Sequence, residues 1–111
     1  MSLLSEIYKK PSIAIPSEHL SYITGDGPYS LLHFIDGSRI MFGVTMKRFQ
    51  EKYPHLIRIN KHVLANHPSI SDWERIDKKT MRVVVNGIRY WVSRRRIDEV
   101  IQKLTDAITN P

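Results

Sequence analysis

Hydrophobic and polar positions alternate along much of this chain, a pattern that is typical of β-strands. The clearest alternation predicts strands at residues 20–23, 29–35 and 39–44, and the glycines between the first two predict a loop at 25–28. Shorter strands are predicted at residues 12–16, 56–59 and 62–65, and a weaker alternation covers residues 69–76. The chain therefore reads as mainly β.

The dipeptide Asp36-Gly37 predicts a hairpin between two of these strands. A two-residue turn there distributes the flanking side chains over two faces. One face then carries Leu31, His33, Ile35, Ile40 and Phe42, and the other carries Leu32, Phe34, Arg39 and Met41. Because both faces are largely apolar, the hairpin is predicted to have a packed layer on each side.

Asn86-Gly87 predicts a second hairpin, between residues 81–85 and 88–92. A type I′ turn pairs Val85 with Ile88, Val83 with Tyr90, and Met81 with Val92, and all six side chains can be buried. The opposite face carries a mixed basic and aromatic set of side chains: Arg82, Val84, Arg89 and Trp91.

Helical spacing occurs in two places. Thr45 is a predicted N-cap for a short helix that has Met46, Phe49 and Tyr53 on one side and ends at Pro54. A C-terminal helix is predicted from about Arg94, with an apolar stripe formed by Ile97, Val100, Ile101, Leu104 and Ile108. Residues 1–11 read as a polar lead-in or a short helix that ends at Pro11. The predicted fold is mainly β, with a short internal helix and a C-terminal helix docked on the sheet.

Length and composition narrow the class of protein. The chain has 111 residues, enough for one domain with its own core, and its 41% hydrophobic content excludes a mostly disordered chain. It contains no Cys, which excludes disulfides, thiolate metal sites and cysteine nucleophiles. Neither a signal peptide nor an apolar run of membrane-spanning length is present. These features predict a soluble cytoplasmic domain.

Charge is distributed unevenly along the chain, whose formal net charge is +6. Residues 1–55 carry six basic and five acidic side chains, whereas residues 56–96 carry ten basic and three acidic ones. Such a basic stretch is typical of a protein that meets phosphate, although a solvated basic surface would look the same. Charge alone puts nucleic acid and the solvated surface at even odds. An acidic membrane is a weaker choice because no basic amphipathic helix occurs.

Ser93 is a predicted N-cap, yet Arg94, Arg95 and Arg96 follow it in the first turn of the predicted helix. The positive end of the helix dipole favours acidic residues at these positions. We therefore interpret the cluster as a site for phosphate or for the electronegative edge of a base, with three solvated side chains as the alternative.

Metal binding and catalysis find little support in the sequence. The five histidines have no HExxH spacing, and His33 reads as a hydrogen-bonded core residue. No GxSxG motif is present, and Ser30 stands where GxGxxG needs its third glycine. The adjacent Asp98 and Glu99 face different sides of their helix. The sequence thus predicts no enzyme, no metal site and no cofactor.

The order of these pieces resembles the LytTR DNA-binding domain of LytR/AlgR/AgrA-type bacterial response regulators. The resemblance runs from about Ser12 to Leu104. It rests on residues 20–29 before the first hairpin, Asp36-Gly37 within it, the short helix with Phe49, residues 56–66, and Val92-Ser-Arg-Arg-Arg96 before the last helix. We divide the chain accordingly into a lead-in at residues 1–11 and a LytTR-type domain at residues 12–108.

The resemblance implies an elongated β-sheet domain that grips duplex DNA through loops and regulates transcription. Its first contact loop corresponds to residues 26–30, with Tyr29 reaching the DNA. Its second corresponds to Asn60, Lys61 and His62, and its third to Ser93, Arg94, Arg95 and Arg96. Arg95 is the best candidate for reading guanine, while Arg58, Lys78 and Lys79, with Arg94 and Arg96, would contact the phosphate backbone.

Further implications of the resemblance concern partners. Family members often bind repeated half-sites as two copies and bend the DNA. No receiver domain precedes residue 12, so the sequence leaves open a stand-alone protein or part of a larger regulator that works with a receiver domain and a sensor kinase.

One departure from the family is informative, because His-Arg-Ser usually stands where this chain has Asn60-Lys61-His62. Asn can read adenine and Lys can read guanine, so we expect binding to be retained with a changed preferred sequence.

Two alternatives to DNA binding remain open at this point. A structured-RNA-binding domain would stack unpaired bases on Tyr29 and Trp91. A non-catalytic protein-interaction module would use the outer hairpin face around Val84 and Trp91.

Overall fold

Two antiparallel sheets account for the alternating segments of the sequence. The computed structural model describes residues 2–10 and 14–109. Its five-stranded sheet has the order β3-β2-β1-β5-β4 and is formed by β1 Leu20–Asp26, β2 Tyr29–Phe34, β3 Arg39–Phe42, β4 Ile57–Asn60 and β5 Val63–Ala65. The three-stranded sheet has the order β6-β7-β8 and is formed by β6 Ile70–Asp77, β7 Thr80–Val85 and β8 Ile88–Trp91. The helices are α1 Leu4–Ile7, α2 Met46–Lys52 and α3 Ile97–Thr109. The predicted mainly β class, with an internal and a C-terminal helix, is confirmed.

Neighbouring residues of β1 point to opposite faces of the five-stranded sheet and enter different cores. Ile23 belongs to a cluster with Leu32, Phe34 and residues of α2, whereas Tyr22 belongs to a cluster with β7 and α3. The five-stranded sheet is therefore the middle layer of the molecule. The domain is longer in one direction, with extents of 43 × 30 × 23 Å.

The first hairpin has a register one residue away from the predicted one. Leu32 pairs with Ile40, and Leu31 pairs with Met41, because the loop contains three residues, 35–37, instead of two and is closed by a hydrogen bond from the Phe34 N–H to the Ser38 carbonyl. The carboxylate of Asp36 fixes this wider loop by accepting hydrogen bonds from the backbone N–H of Ser38 and of Leu4. A shift of one residue exchanges the two faces on one strand.

The predicted layer on each side of this hairpin is wrong. Phe34 and Phe42 are buried against α1 and α2, but Met41 on the opposite face is 61% exposed. β3 is the edge strand of its sheet, and among the described residues no element buries Met41 on that face. His33 agrees with the sequence interpretation: it is half-buried, stacks on Tyr22 with ring centroids 4.0 Å apart, and forms a 2.9 Å hydrogen bond with Thr24.

The second hairpin has the predicted pairing. Val85 pairs with Ile88, and Val83 pairs with Tyr90. Asn86 and Gly87 have φ values of +49° and +79°, as the two central residues of a type I′ turn require. The predicted burial of all six inward side chains is wrong for Ile88, which is 49% exposed because it lies beside the turn at the end of the sheet.

The remaining predicted elements differ mainly in their bounds. α2 begins after the predicted N-cap Thr45, whose hydroxyl accepts a hydrogen bond from the Arg48 N–H. It ends at Lys52, so Tyr53 follows the helix instead of lying within it as predicted. Residues 12–13 lie outside the described residues, and residues 14–16 form no strand. Residues 25–28 are not all loop, since β1 continues through Asp26 and only residues 27–28 form the turn. In α3, the predicted apolar stripe fails at Ile108, which is 67% exposed.

The segment before β1 packs against the core. Tyr8 is buried, and its hydroxyl forms a 2.8 Å hydrogen bond with Nδ1 of His19. Among the described helices, none has both the length and the apolar character needed to cross a bilayer.

Candidate nucleic-acid interface

Four turns lie at the same end of the two sheets. Antiparallel pairing places the β1–β2 turn (residues 27–28) beside the β4–β5 turn (residues 61–62). The β6–β7 turn (residues 78–79) and the end of β8 likewise share one end of the smaller sheet, since the Val92 N–H donates to the carbonyl of Met81. The 3-10 turn Arg94–Arg96 follows directly. We call these four turns the basic end, because their exposed side chains include Lys61, Lys78, Lys79, Arg94 and Arg95.

His62 joins the β4–β5 turn to Gly25 of β1 through two hydrogen bonds, and a third holds it within its own turn. Its carbonyl accepts from the Gly25 N–H at 3.0 Å, and its ring Nδ1 lies 3.1 Å from the Gly25 carbonyl oxygen. Its own backbone N–H donates to Oδ1 of Asn60 at 2.8 Å. The backbone and the ring of this exposed residue are therefore both held in place.

Asn60 and Ser93 join the second turn to the third contact segment. Nδ2 of Asn60 donates to the Trp91 carbonyl at 2.9 Å, and the Ser93 N–H donates to the Ile59 carbonyl at 2.9 Å. These two bonds connect the end of β4 to the end of β8, across the two sheets. The Asn60 amide retains one N–H and one lone pair beyond these contacts.

Arg58 is half-buried, and its guanidinium is used within the protein. Nε donates to the Asn60 carbonyl at 2.7 Å, Nη2 to the Lys61 carbonyl at 3.0 Å, and Nη1 to Oε1 of Gln50 in α2 at 2.8 Å. Arg58 thus bridges α2 and the β4–β5 turn, and it fixes the conformation of that turn from behind.

The three consecutive arginines lie before the α-helix and not in its first turn. Arg94–Arg96 form a 3-10 turn, and α3 begins at Ile97 with Asp98 and Glu99 in its first turn. The predicted conflict between this cluster and the helix dipole is therefore wrong in its detail, because acidic residues occupy the positions that the dipole favours. The predicted side-chain cap is also absent here: Ser93 contributes its carbonyl, which accepts from the Arg96 N–H at 2.8 Å.

Within the described part of the chain, Arg94 and Arg95 are exposed and make no hydrogen bond or ion pair. Arg96 is partly buried, and its Nε is a buried atom without a hydrogen-bond partner. These side chains hold donors that the rest of the described structure leaves unused.

Repulsion between like charges is evident in this cluster. Burial, followed by the nearby guanidinium groups of Arg96 and Arg95, lowers the pKa of Arg58. Burial and then Arg95 also lower the pKa of Arg96, and the carboxylate of Glu99 partly opposes this. Arg58 and Arg96 nevertheless remain protonated near neutral pH because a guanidinium has a very high pKa. The cluster therefore concentrates positive charge in a partly desolvated place.

The first contact loop is shorter than the resemblance implies. Tyr29 is 56% exposed at the tip of β2, but the next residue, Ser30, is fully buried and donates from Oγ to the Val44 carbonyl at 2.6 Å. Gly25 lies behind the tip, where an added Cβ would come within 2.8 Å of the Tyr29 carbonyl oxygen. Close backbone approach at Gly25 therefore positions both Tyr29 and His62.

Lys78 and Lys79 occupy the tip of the long β6–β7 ribbon, and both are exposed. The carboxylate of Asp77 accepts from the Lys79 N–H at 2.8 Å and shapes this tip. That bond is the main reason for the lowered pKa of Asp77. The ribbon thus presents two lysines at the same end as the arginine turn.

Sequence reasoning missed three supporting groups. Gln50, Gly25 and the Trp91 carbonyl each hold a residue of the basic end through a hydrogen bond. Only Gly25 carried a signal, since a glycine within a strand often marks close backbone approach. Among the described residues, no group of three or more His, Asp or Glu side chains could hold a metal ion.

Comparisons with known proteins agree with this arrangement. The family model of the LytTr DNA-binding domain matches residues 10–105. A similar solved structure is the LytTr DNA-binding domain of a protein from Bacillus cereus described as a methyl-accepting/DNA response regulator. It has a TM-score of 0.68 and 17% identity, and the match covers 83% of this chain and 86% of that one. A search of the curated proteins finds no match. Because the family model spans most of the sequence, this chain belongs to the LytTr DNA-binding domain family.

Proposed function

We propose that this domain binds duplex DNA sequence-specifically through its basic end and thereby regulates bacterial transcription. The observation that carries the proposal is the close cluster of Arg58, Arg95 and Arg96, in which burial and then the neighbouring guanidinium groups lower the pKa of Arg58 and of Arg96. A phosphate polyanion would relieve this repulsion and satisfy the unused donors of the arginine turn. Membership of a DNA-binding family indicates a non-enzymatic role.

The contacts at the basic end divide into two kinds. Arg95 is exposed and has no internal partner, so we assign it to a guanine edge, where its two parallel N–H groups match O6 and N7. Lys61, exposed on the adjacent turn, reaches a neighbouring base, and Tyr29 contacts the DNA from the first turn. Arg94, Arg96, Lys78 and Lys79 contact phosphates and set the orientation without reading sequence.

Some residues predicted to touch DNA have a more indirect role in this proposal. The guanidinium of Arg58 and the amide of Asn60 already bond within the protein, so their main contribution is to hold the β4–β5 turn. Ser93 contributes through its backbone, which ties the arginine turn to β4. Such supporting contacts keep reading side chains in a fixed geometry before DNA arrives.

We further propose that two copies occupy repeated half-sites, and that a receiver domain under a sensor kinase controls the activity in the organism. These partners follow from the family's usual organisation. Analytical ultracentrifugation with duplexes carrying one or two half-sites tests the first point by the number of protein copies bound.

A fluorescence-anisotropy titration tests the proposed function. The probes are a duplex selected from random sequence, a scrambled duplex and a single-stranded RNA, each at two salt concentrations. We expect the selected duplex to bind most tightly at both, because base contacts survive screening better than phosphate contacts do. The matched control is Lys9→Ala, an exposed lysine remote from the basic end, which should bind like the native chain. If the affinity for all three probes falls equally at the higher salt concentration, the domain binds only through an unspecific basic surface. Tighter binding to the single-stranded RNA than to either duplex would favour the RNA-binding alternative.

A further inference from the structure

The ring of His62 is oriented by a hydrogen bond whose direction is chemically fixed. Nδ1 lies 3.1 Å from the carbonyl oxygen of Gly25. A carbonyl oxygen can only accept, so Nδ1 must carry the hydrogen and donate it. In the neutral ring the other nitrogen, Nε2, then has no hydrogen and is an acceptor.

The backbone of His62 is fixed as firmly as its ring. Its N–H donates to Asn60 and its C=O accepts from the N–H of Gly25, at 2.8 Å and 3.0 Å respectively. Because the side chain is exposed at the tip of the turn, Nε2 faces solvent from a position that three hydrogen bonds define. A fixed acceptor is better suited to recognition than a mobile one, since less conformational freedom is lost on binding.

An acceptor is chemically unusual at the basic end. Lys61 beside it, together with Arg94 and Arg95, can only donate hydrogen bonds. Donor side chains select the acceptors of guanine or of phosphate, and they cannot recognise an amino group. In the major groove the hydrogen-bond donors are the N6 amino group of adenine and the N4 amino group of cytosine.

We propose that Nε2 of His62 accepts a hydrogen bond from the exocyclic amino group of one adenine or cytosine in the bound duplex. This inference rests on the proposed function and specifies part of it. His62 is then a specificity-determining residue that reads an amino base, next to cations that read guanine or bind phosphate. It also gives a chemical reason for a preferred sequence that differs from that of domains with serine at this position.

The test first selects the preferred duplex from random sequence with the native domain. Each enriched adenine or cytosine is then replaced, one at a time, by the analogue that lacks its exocyclic amino group. Titrations are run at pH 8, where an ordinary imidazole is neutral. Loss of the amino group at one position should weaken native binding about 2- to 12-fold, the range of one hydrogen bond.

His62→Ala is the decisive variant, because it removes Nε2 and puts no other acceptor in its place. The bond from Nδ1 to Gly25 is lost as well, but it is lost equally in both duplex titrations and cancels in the comparison. We expect this variant to lose about 2- to 12-fold on the selected duplex and to lose nothing more when the amino group is also removed. Lys61→Ala is the matched control on the same turn: it should bind more weakly but keep the full effect of removing the amino group.

The outcomes separate this inference from the function on which it rests. If a motif is enriched but no amino deletion affects native binding, or if His62→Ala still responds to the deletion, the role of His62 is overturned while the DNA-binding function stands. If the selection enriches no duplex motif, the proposed function fails and the inference fails with it.

Discussion

The side-chain amide of Asn60 donates a hydrogen bond to the carbonyl oxygen of Trp91, a residue 31 positions later in the chain, at 2.9 Å. This bond connects the last residue of β4 with the last residue of β8, and therefore connects the two sheets at the basic end. Oδ1 of the same amide accepts a hydrogen bond from the backbone N–H of His62. One side chain thus sets the relative position of two contact segments.

Replacing Asn60 with alanine should lower the free energy of unfolding by about 1–2 kcal/mol, because two hydrogen bonds to backbone groups are lost. The variant should also bind selected and scrambled duplexes more weakly by a similar factor, since it loosens the surface and removes no base contact. Urea denaturation and anisotropy titration measure the two effects. Lys61→Ala is the control, and its exposed side chain should leave stability within about 0.5 kcal/mol of the native value. If Asn60→Ala has the same free energy of unfolding as the native domain, the hydrogen bonds of Asn60 do not stabilise the connection between the two sheets.

Gly25→Ala should destabilise the domain by about 1–3 kcal/mol, because the new Cβ would lie 2.8 Å from the Tyr29 carbonyl oxygen and 3.0 Å from Cγ of Met46. Relief of the first contact requires the strand ends to move apart, which also disturbs the bonds between Gly25 and His62. Thermal unfolding measures the loss. Gly43→Ala is the matched control, because its Cβ would meet Tyr29 at an ordinary 3.9 Å. If the two variants are equally stable, the end of the β1–β2 hairpin accommodates a Cβ at position 25 without strain.

Arg95→Ala should cost about 1–3 kcal/mol on the preferred duplex and relax the preference at one position, as expected for loss of a bidentate guanine contact. Competition titrations against duplexes with each base at each position provide the measurement. Arg94→Ala is the neighbouring control, and it should weaken all sequences alike. A loss for Arg95→Ala that is equal on preferred and random DNA would assign Arg95 to the phosphates.

Lys78→Ala should weaken binding to every duplex and lower the slope of log K against log salt by about one unit, because one phosphate contact is lost. The measurement is a salt titration with a single duplex. Lys9→Ala, at an exposed lysine away from the basic end, should keep the native slope. If the slope of log K against log salt in Lys78→Ala equals that of the native domain, the tip of the β6–β7 ribbon does not contact the DNA.

The stability of the domain should fall in mild acid because of His33. Burial, followed by the charge of Arg39, lowers the pKa of His33. The unfolded chain therefore binds this proton more readily than the folded one, and stability is lost as the pH falls below about 6.5, the value of an unperturbed imidazole. His33→Gln can keep the hydrogen bond to Thr24 without titrating, so its stability should change less between about pH 7.5 and about pH 5.5. Urea midpoints at the two pH values give the comparison, and an equal change in both proteins would contradict the assignment.

The second hairpin shows what local sequence can predict. Asn86-Gly87 specifies a turn with two positive φ angles, and the pairing of Val83 with Tyr90 follows from it. The first hairpin shows the limit. Asp36-Gly37 also predicts a two-residue turn, but Asp36 bonds to the backbone of Leu4, which is 32 residues away, and the loop opens to three residues, 35–37. A contact at that separation cannot be inferred from the turn sequence.

The same distinction applies to the basic end. The clustering of Arg94–Arg96 and the placement of Lys61 on a turn were predictable from residue type and order. The turn comprises residues 61–62 and not the predicted residues 60–61, so His62 lies on the turn and not in the predicted strand. The fixed ring of His62 was not predictable, because it depends on Gly25, 37 residues earlier. Nor was the use of Arg58 within the protein, since its partner Gln50 lies on a helix whose packing is decided by the core. The candidate contact residues could be chosen from the sequence, whereas their hydrogen-bonding state required the fold.

The position of α1 has a practical consequence for labelling. The backbone N–H groups of Leu4 and Ser5 bond to Asp36 and Ser38 of the β2–β3 loop, which lies at the opposite end of the sheet from Tyr29. A dye or an affinity handle attached at Ser2 would therefore emerge far from the basic end. Immobilisation through this point would leave all four turns accessible, so surface-based binding kinetics can be recorded without blocking the proposed DNA-binding surface.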